Sequence, residues 1–303
     1  MEIIPVVPRG YCQGVVRAIQ IARRTVQENP DARIYMLGMI VHNSHVVDAF
    51  RKMGILCLED PAKSRLQLLD EISSGIVIFT AHGVSDAVKQ KALDKGLAIV
   101  DATCPDVAHT HALVLSHCRS GGEVLYIGKR NHPEAEGVVS LDPHVHLVTC
   151  PADIDQLDSG LQNILITNQT TLSLLDTRDL VERCMRRYPD AVSMPEICNA
   201  TTIRQQAVMS LKQVDVLLVV GDPHSNNTNQ LREIGLRAGI PHAFLIESAA
   251  QLQEDMVRGA ERVAVTSGSS TPTGLTAQVI EVLNQYAAGN PWQTPAETSD
   301  PAI

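Results

Sequence analysis

The sequence predicts an α/β fold of three pseudo-repeated units, each with a small, mostly parallel sheet, and three observations carry that reading. Cys12, Cys104 and Cys198 stand at nearly equal intervals along the 303 residues. An apolar run ending in glycine follows each cysteine, at residues 34–38, 124–128 and 216–221, and a polar residue comes four positions after each glycine: His42, His132 and Ser225. A second apolar run then ends in a threonine and a polar turn, at residues 76–82, 164–170 and 263–269. An internal triplication places the same backbone features at similar offsets in each copy, and these landmarks do so three times.

The elements read in order as follows. The run 3–7 is apolar and β-branched, a strand signal. After Cys12, residues 15–27 carry apolar side chains at three- and four-residue spacing, which predicts a helix. Strand 34–37 follows, then helix 44–53 and strand 76–79. The cycle restarts at Cys104 with helix 107–120, strands 124–127 and 164–167, and helix 174–188. It restarts again at Cys198 with helix 200–212 and strands 214–220 and 263–266. Strands this apolar belong in parallel sheets covered on both faces, whose ligand sites lie at strand C-termini. The polar turns fall there. The units are expected at 14–105, 106–199 and 200–286, the last joined by the N-terminal strand 1–13, and the Pro- and Gly-rich 287–303 reads as a loose tail.

Composition narrows the function. A formal net charge of −9 and 3% aromatic residues argue against nucleic acid as a partner, since basic stripes and stacking platforms are both lacking. No run of 18 apolar residues occurs, and the start Met1-Glu2-Ile3-Ile4-Pro5 lacks a signal-peptide pattern, so a soluble cytoplasmic protein without a membrane partner is expected. There the seven cysteines stay reduced, and metal ligation or burial is favoured over disulfides. Cys57, Cys118, Cys150 and Cys184 are out of phase with the repeat and read as ordinary thiols.

The three phased cysteines each precede a predicted helix, where the dipole favours a thiolate. Zinc sites usually draw on Cys-x-x-Cys pairs, and the chain has none. An iron–sulfur cluster accepts ligands from distant segments, and three thiolates on a four-iron cube leave one iron open for substrate. An iron–sulfur hydro-lyase needs the same open iron without external electrons. A sensor or electron carrier needs the cluster alone, and the density of Ser, Asn and His at the turns speaks against it.

Several segments carry a family resemblance: Pro8-Arg9-Gly10-Tyr11-Cys12-Gln13-Gly14-Val15, Ile40-Val41-His42-Asn43, Thr80-Ala81-His82-Gly83, Asp101-Ala102-Thr103-Cys104-Pro105, His132-Pro133-Glu134, Asn168-Gln169-Thr170-Thr171, Ile197-Cys198-Asn199-Ala200 and Ser225-Asn226-Asn227-Thr228. In these motifs, over nearly the whole chain, the sequence resembles the 4-hydroxy-3-methylbut-2-enyl diphosphate reductases. The resemblance implies three α/β units arranged around a central [4Fe–4S] cluster. It implies two-electron removal of the allylic hydroxyl of hydroxymethylbutenyl diphosphate, giving isopentenyl and dimethylallyl diphosphates, the last step of the methylerythritol phosphate route.

Residue by residue, the resemblance makes Cys12, Cys104 and Cys198 the cluster ligands. It sets His42, His82, His132, Ser225, Asn227 and Ser270 around the diphosphate, and gives Glu134 and Thr170 the proton relay to the leaving oxygen. The chain departs from commoner members at Ser225-Asn226 and at Gly128-Lys129-Arg130-Asn131-His132, so Asn226, Lys129 and Arg130 are left without a role. No flavin or nicotinamide fingerprint is present, and a ferredoxin or flavodoxin is the expected electron donor.

Overall fold

The structure is a computed structural model that describes residues 1–60 and 62–293. Its strands, in chain order, are β1 (Glu2–Pro5), β2 (Ile34–Leu37), β3 (Leu56–Leu58), β4 (Ile76–Phe79), β5 (Ala98–Asp101), β6 (Glu123–Ile127), β7 (Val145–Val148), β8 (Ile164–Asn168), β9 (Val192–Ser193), β10 (Val216–Val220), β11 (His242–Ile246) and β12 (Arg262–Ser267). They form three four-stranded sheets in the orders β3-β2-β4-β5, β7-β6-β8-β9 and β11-β10-β12-β1. Every pairing is parallel. Across each sheet the strands lie in the order second, first, third, fourth, and the third sheet takes β1 as its fourth strand. Each therefore has a switch point between its first and third strands, where the connections leave in opposite directions and open a crevice at the C-terminal edge.

Contacts divide the chain into two compact units. Among the described residues, one comprises 1–15, 41–49 and 199–293, with the third sheet; the other comprises 16–40 and 50–198, with the first two. The helix Pro105–Arg119 touches both sheets of the second unit. Its Val107 and His111 lie against Gly83, in the loop after β4 of the first sheet, while its Val114 and Cys118 pack with Val124 and Tyr126 of β6 in the second.

In the first unit both faces of the third sheet are covered. The whole run 216–220 is buried, with Val216, Leu218 and Val220 packed with Leu275, Val279 and Leu283 of the helix Thr273–Ala287. Leu217 and Val219 pack instead with Val208, Leu231 and Ile234 of the opposite layer. In the second unit the first sheet buries Tyr35, Leu37, Val77 and Phe79 against Leu68, Leu69, Val88 and Ala92 of two short helices. The second sheet buries Leu125, Ile127, Ile164 and Ile166 on one face and Val124, Tyr126 and Leu165 on the other. Burial on both faces is why these strands read as near-unbroken apolar runs.

The five helices expected from periodicity are present as Gln13–Glu28, Ser44–Lys52, Pro105–Arg119, Leu174–Arg187 and Asn199–Met209. The last stops short of the expected residue 212, and Gln213 turns through a positive φ of 53° just before β10. Serine caps start several helices by accepting from a backbone N–H in the first turn: Ser64 from Gln67, Ser85 from Val88, Ser173 from Asp176 and Ser225 from Thr228. The tail expected to be loose from residue 287 is anchored at Trp292, whose ring meets Tyr286 edge-on at 5.2 Å because the indole finds apolar cover there. Residues 294–303 of that tail lie outside the described residues. Among the described residues no helix is long and apolar enough to cross a membrane.

Phe79 ends β4 with no exposed surface and leads into the loop that carries His82. Phe79→Ala should cost about 3–5 kcal/mol, the range for a buried phenylalanine that leaves a cavity, measured as a lower midpoint in urea unfolding.

Candidate functional site

One backbone contact recurs in all three sheets. The amide of each phased cysteine donates to the carbonyl two residues beyond the third strand: Cys12 to Ser269, Cys104 to Ala81 and Cys198 to Thr170, each at 3.0 Å. The glycine after each first strand is held in the same repeated way, Gly38 to Leu58, Gly128 to Val148 and Gly221 to Ile246, at 2.8, 3.0 and 2.9 Å. The cysteines are thus fixed to the C-terminal edges where the crevices open. All three are half-buried, and none is in a disulfide.

In the second unit the switch points gather His82, His132, Glu134 and Thr170. His132 caps the helix Pro133–Val139 by accepting the Glu134 N–H on Nδ1 at 3.2 Å. A neutral His132 ring therefore carries its proton on Nε2. The His82 ring meets it edge-on at 5.7 Å, and His82 Nδ1 lies 3.4 Å from the Thr80 hydroxyl. Glu134 is 1% exposed, and one carboxylate oxygen accepts the Thr170 N–H at 2.7 Å while the other accepts the Thr170 hydroxyl at 3.1 Å. Burial pushes the Glu134 carboxyl from 4.5 up to about 7, against the two Thr170 bonds that pull it down, with Asp106 adding a further upward push. Desolvation outweighs both hydrogen bonds, so this acid holds or gives up a proton near neutrality.

In the first unit Ser269, which the sequence motifs leave without a role, is the hub. Its carbonyl takes the Cys12 amide, and its hydroxyl accepts from Asn227 Nδ2 at 3.0 Å. Ser225 accepts the Thr228 N–H at 3.4 Å, which leaves its own hydroxyl proton available to an anion. Asn226, Asn227 and Thr228 are buried in the first turn of the helix Asn226–Arg237. Asn227 Oδ1 and Thr228 Oγ1 are buried polar atoms with no hydrogen-bond partner among the described residues.

The Ser270 hydroxyl donates to the His42 carbonyl at 2.9 Å and so ties the turn after β12 to the His42 loop. His42 itself is half-buried. Lys129 and Arg130 are exposed, and Arg130 lies 4.0 Å from Asp153.

Other polar groups missed from sequence brace these loops. Asn168 Oδ1 accepts the Glu196 N–H at 3.0 Å, and Gln169 Oε1 accepts the Lys129 N–H at 3.0 Å. Asp222 accepts the N–H groups of Ser44 and His224 at 2.9 and 2.8 Å. The available signal is polar residues directly after apolar strands, as in Asn168-Gln169 and Asp222.

Among the described residues no three His, Cys, Asp or Glu side chains are gathered tightly enough to hold a single metal ion. An iron–sulfur cluster asks for something else, because its thiolates bind separate irons. The donor set suits that demand. Cys12 Sγ accepts the Val15 N–H at 3.5 Å at a helix start, Cys104 caps Pro105–Arg119 without a capping bond from its sulfur, and Cys198 immediately precedes Asn199–Met209. The Cys118 and Cys184 thiols are buried in the core and pushed up to about 11 by desolvation, as inert core thiols are.

Residues 3–284 match the LytB protein family. The chain belongs to the LytB family. It is 47% identical over 294 residues to the 4-hydroxy-3-methylbut-2-enyl diphosphate reductase of Anoxybacillus flavithermus, covering 96% of this chain and 93% of that one. It is 48% identical over 294 residues to the enzyme of the same name from Bacillus mycoides, covering 96% and 92%. Among solved structures it is similar to the E-1-hydroxy-2-methyl-but-2-enyl-4-diphosphate reductase from Plasmodium falciparum, with a TM-score of 0.86, 30% identity and 93% and 88% coverage. The three parallel sheets are thus a LytB fold.

The raised Glu134 pKa makes stability depend on pH with a definite sign. The folded state holds the proton more tightly than the unfolded chain, so the contribution is fully present below pH 4.5 and is lost as pH rises through about 7. Relative to the native chain, Glu134→Gln should become more stable between those values, by up to about 3 kcal/mol above pH 7, as read from urea unfolding of the metal-free protein. Thr170→Val removes a bond that favours the ionised form, and should raise the pH at which the Glu134 carboxyl ionises, followed by its infrared C=O band.

Proposed function

We propose that this chain reduces 4-hydroxy-3-methylbut-2-enyl diphosphate to isopentenyl and dimethylallyl diphosphates, as the last step of the methylerythritol phosphate route. The observation that carries the reading is the buried Glu134–Thr170 pair: a carboxyl poised near neutrality beside a hydroxyl, in a chain of the LytB family. Cys12, Cys104 and Cys198 are the cluster ligands in this proposal. A bound [4Fe–4S] cluster would pass on two electrons, one at a time, from an external donor and would supply Lewis acidity.

The side chains do the rest. Glu134, protonated, is the general acid that gives its proton to the departing hydroxyl oxygen, that oxygen leaves as water, and a second proton taken up at either end of the reduced allyl group completes one or the other product. Thr170 holds both Glu134 oxygens, so the acid keeps one orientation, and its hydroxyl is placed to pass the proton on. Ser225, Asn227 and the N–H groups opening the helix Asn226–Arg237 receive the diphosphate, because backbone donors and the helix dipole favour an anion there. If the Asn227 amide turns over, Oδ1 takes the Ser269 hydroxyl and the NH2 group faces the phosphate. His42, His82 and His132 are further contacts to the diphosphate in this proposal. Ser270 acts through the His42 carbonyl. Electrons come from a ferredoxin or flavodoxin.

The test is anaerobic purification, a visible spectrum of the cluster, and oxidation of a reduced dye on adding the hydroxy-allyl diphosphate. Substrate-dependent oxidation is expected, and its absence in a cluster-replete sample rejects the reductase reading. Glu134→Gln should keep the spectrum and substrate binding while kcat falls by about 10²-fold or more. In the native enzyme kcat should decline above about pH 7, as Glu134 loses the proton it must donate.

A further inference from the structure

We propose that Arg204 is a positioning residue for the cluster ligand Cys12. The inference rests on the cluster reading above. Residues 6–12 belong to no helix or strand. On one side this loop is tied to β12 and the turn after it: Val6 N–H donates to the Val265 carbonyl at 2.9 Å, Gly10 N–H to the Ser267 hydroxyl at 2.7 Å, and Cys12 N–H to the Ser269 carbonyl at 3.0 Å. Bonds along one edge alone would let the loop pivot about that line. Arg204 supplies a tie from another element.

Arg204 is 3% exposed, and its guanidinium donates from Nη2 to the Gly10 carbonyl at 2.6 Å and from Nη1 to the Ala200 carbonyl at 2.9 Å. Ala200 lies in the first turn of Asn199–Met209, so one rigid fork joins the start of that helix to the Cys12 loop. Gly10 makes the contact possible. Its φ of 76° is in the left-handed region, and a Cβ there would sit 2.7 Å from the Thr273 hydroxyl. The backbone passes through a place only glycine fits.

A buried guanidinium is costly to desolvate, and apolar side chains of similar size often serve stability as well or better. Stability alone therefore gives little reason for arginine at this place. A fixed bond to the carbonyl two residues before a ligand does, because groups outside the ligand shell orient the ligands and tune the metal.

The test compares the full-length native chain with Arg204→Met and Arg204→Lys, each reconstituted anaerobically with iron and sulfide. The readouts are iron lost to a chelator with time, the cluster midpoint potential, and the thermal melt of the cluster-free protein. Arg204→Met should lose iron about tenfold faster, a modest share of two charge-assisted bonds, and its potential should shift. Arg204→Lys, which keeps the charge but not the fork, should fall between, while the melts stay alike.

Native iron loss and potential in a folded Arg204→Met protein would overturn the proposal. Should that variant not fold, native values in Arg204→Lys would do the same. A native chain that takes up no cluster overturns the cluster reading and this inference together; a cluster-bearing native chain with indifferent variants overturns the inference alone.

Discussion

The rest of the structure depends on a single repeated constraint, the hydrogen bond from each phased cysteine amide to the carbonyl two residues past a third strand. A parallel strand is held by pairing on both sides, so the first residues beyond its end inherit its position. Tying the cysteine loop to those residues transmits the order of the sheet into a segment without regular structure. Each cysteine arrives from the fourth strand of its own sheet, while the histidines, serines and Glu134 arise at or near the switch point between the first and third strands. Strand order thus brings thiols and polar groups to the same edge in every repeat.

Glu134 illustrates how magnitude decides chemistry. Two hydrogen bonds from Thr170 favour the carboxylate, while complete burial favours the acid, and burial wins. Were Glu134 exposed, the same bonds would keep it ionised at neutral pH. Its raised pKa therefore depends on the packing of the helix Pro133–Val139 as much as on having a glutamate at this place.

An acidic chain that is to receive a diphosphate has to rely on local geometry. The start of the helix Asn226–Arg237 concentrates buried neutral donors at a positive dipole end, which avoids burying cations that would need counter-ions. The serines divide the work by what each proton is doing. Ser225 caps the helix as an acceptor and keeps its proton, whereas Ser270 uses its proton on the His42 loop.

Much of this is legible in the residues themselves. The apolar runs at 34–37, 76–79, 124–127, 164–167, 216–220 and 263–266 are central strands, and buried strands advertise themselves by unbroken apolar sequence. The outer strands β3, β5, β7, β9 and β11 escape such a reading. They are short or partly exposed, so their sequence is less distinctive. The phase of Cys12, Cys104 and Cys198 and the motifs around them point to the family, since spacing and residue type survive in one dimension. What the tertiary structure decided is the partner of each polar atom: Ser269 between Cys12 and Asn227, Ser270 on the His42 carbonyl, Arg204 on Gly10, and the depth at which Glu134 is buried. Those depend on contacts between segments far apart in the chain, and on desolvation, which no local pattern of residues encodes.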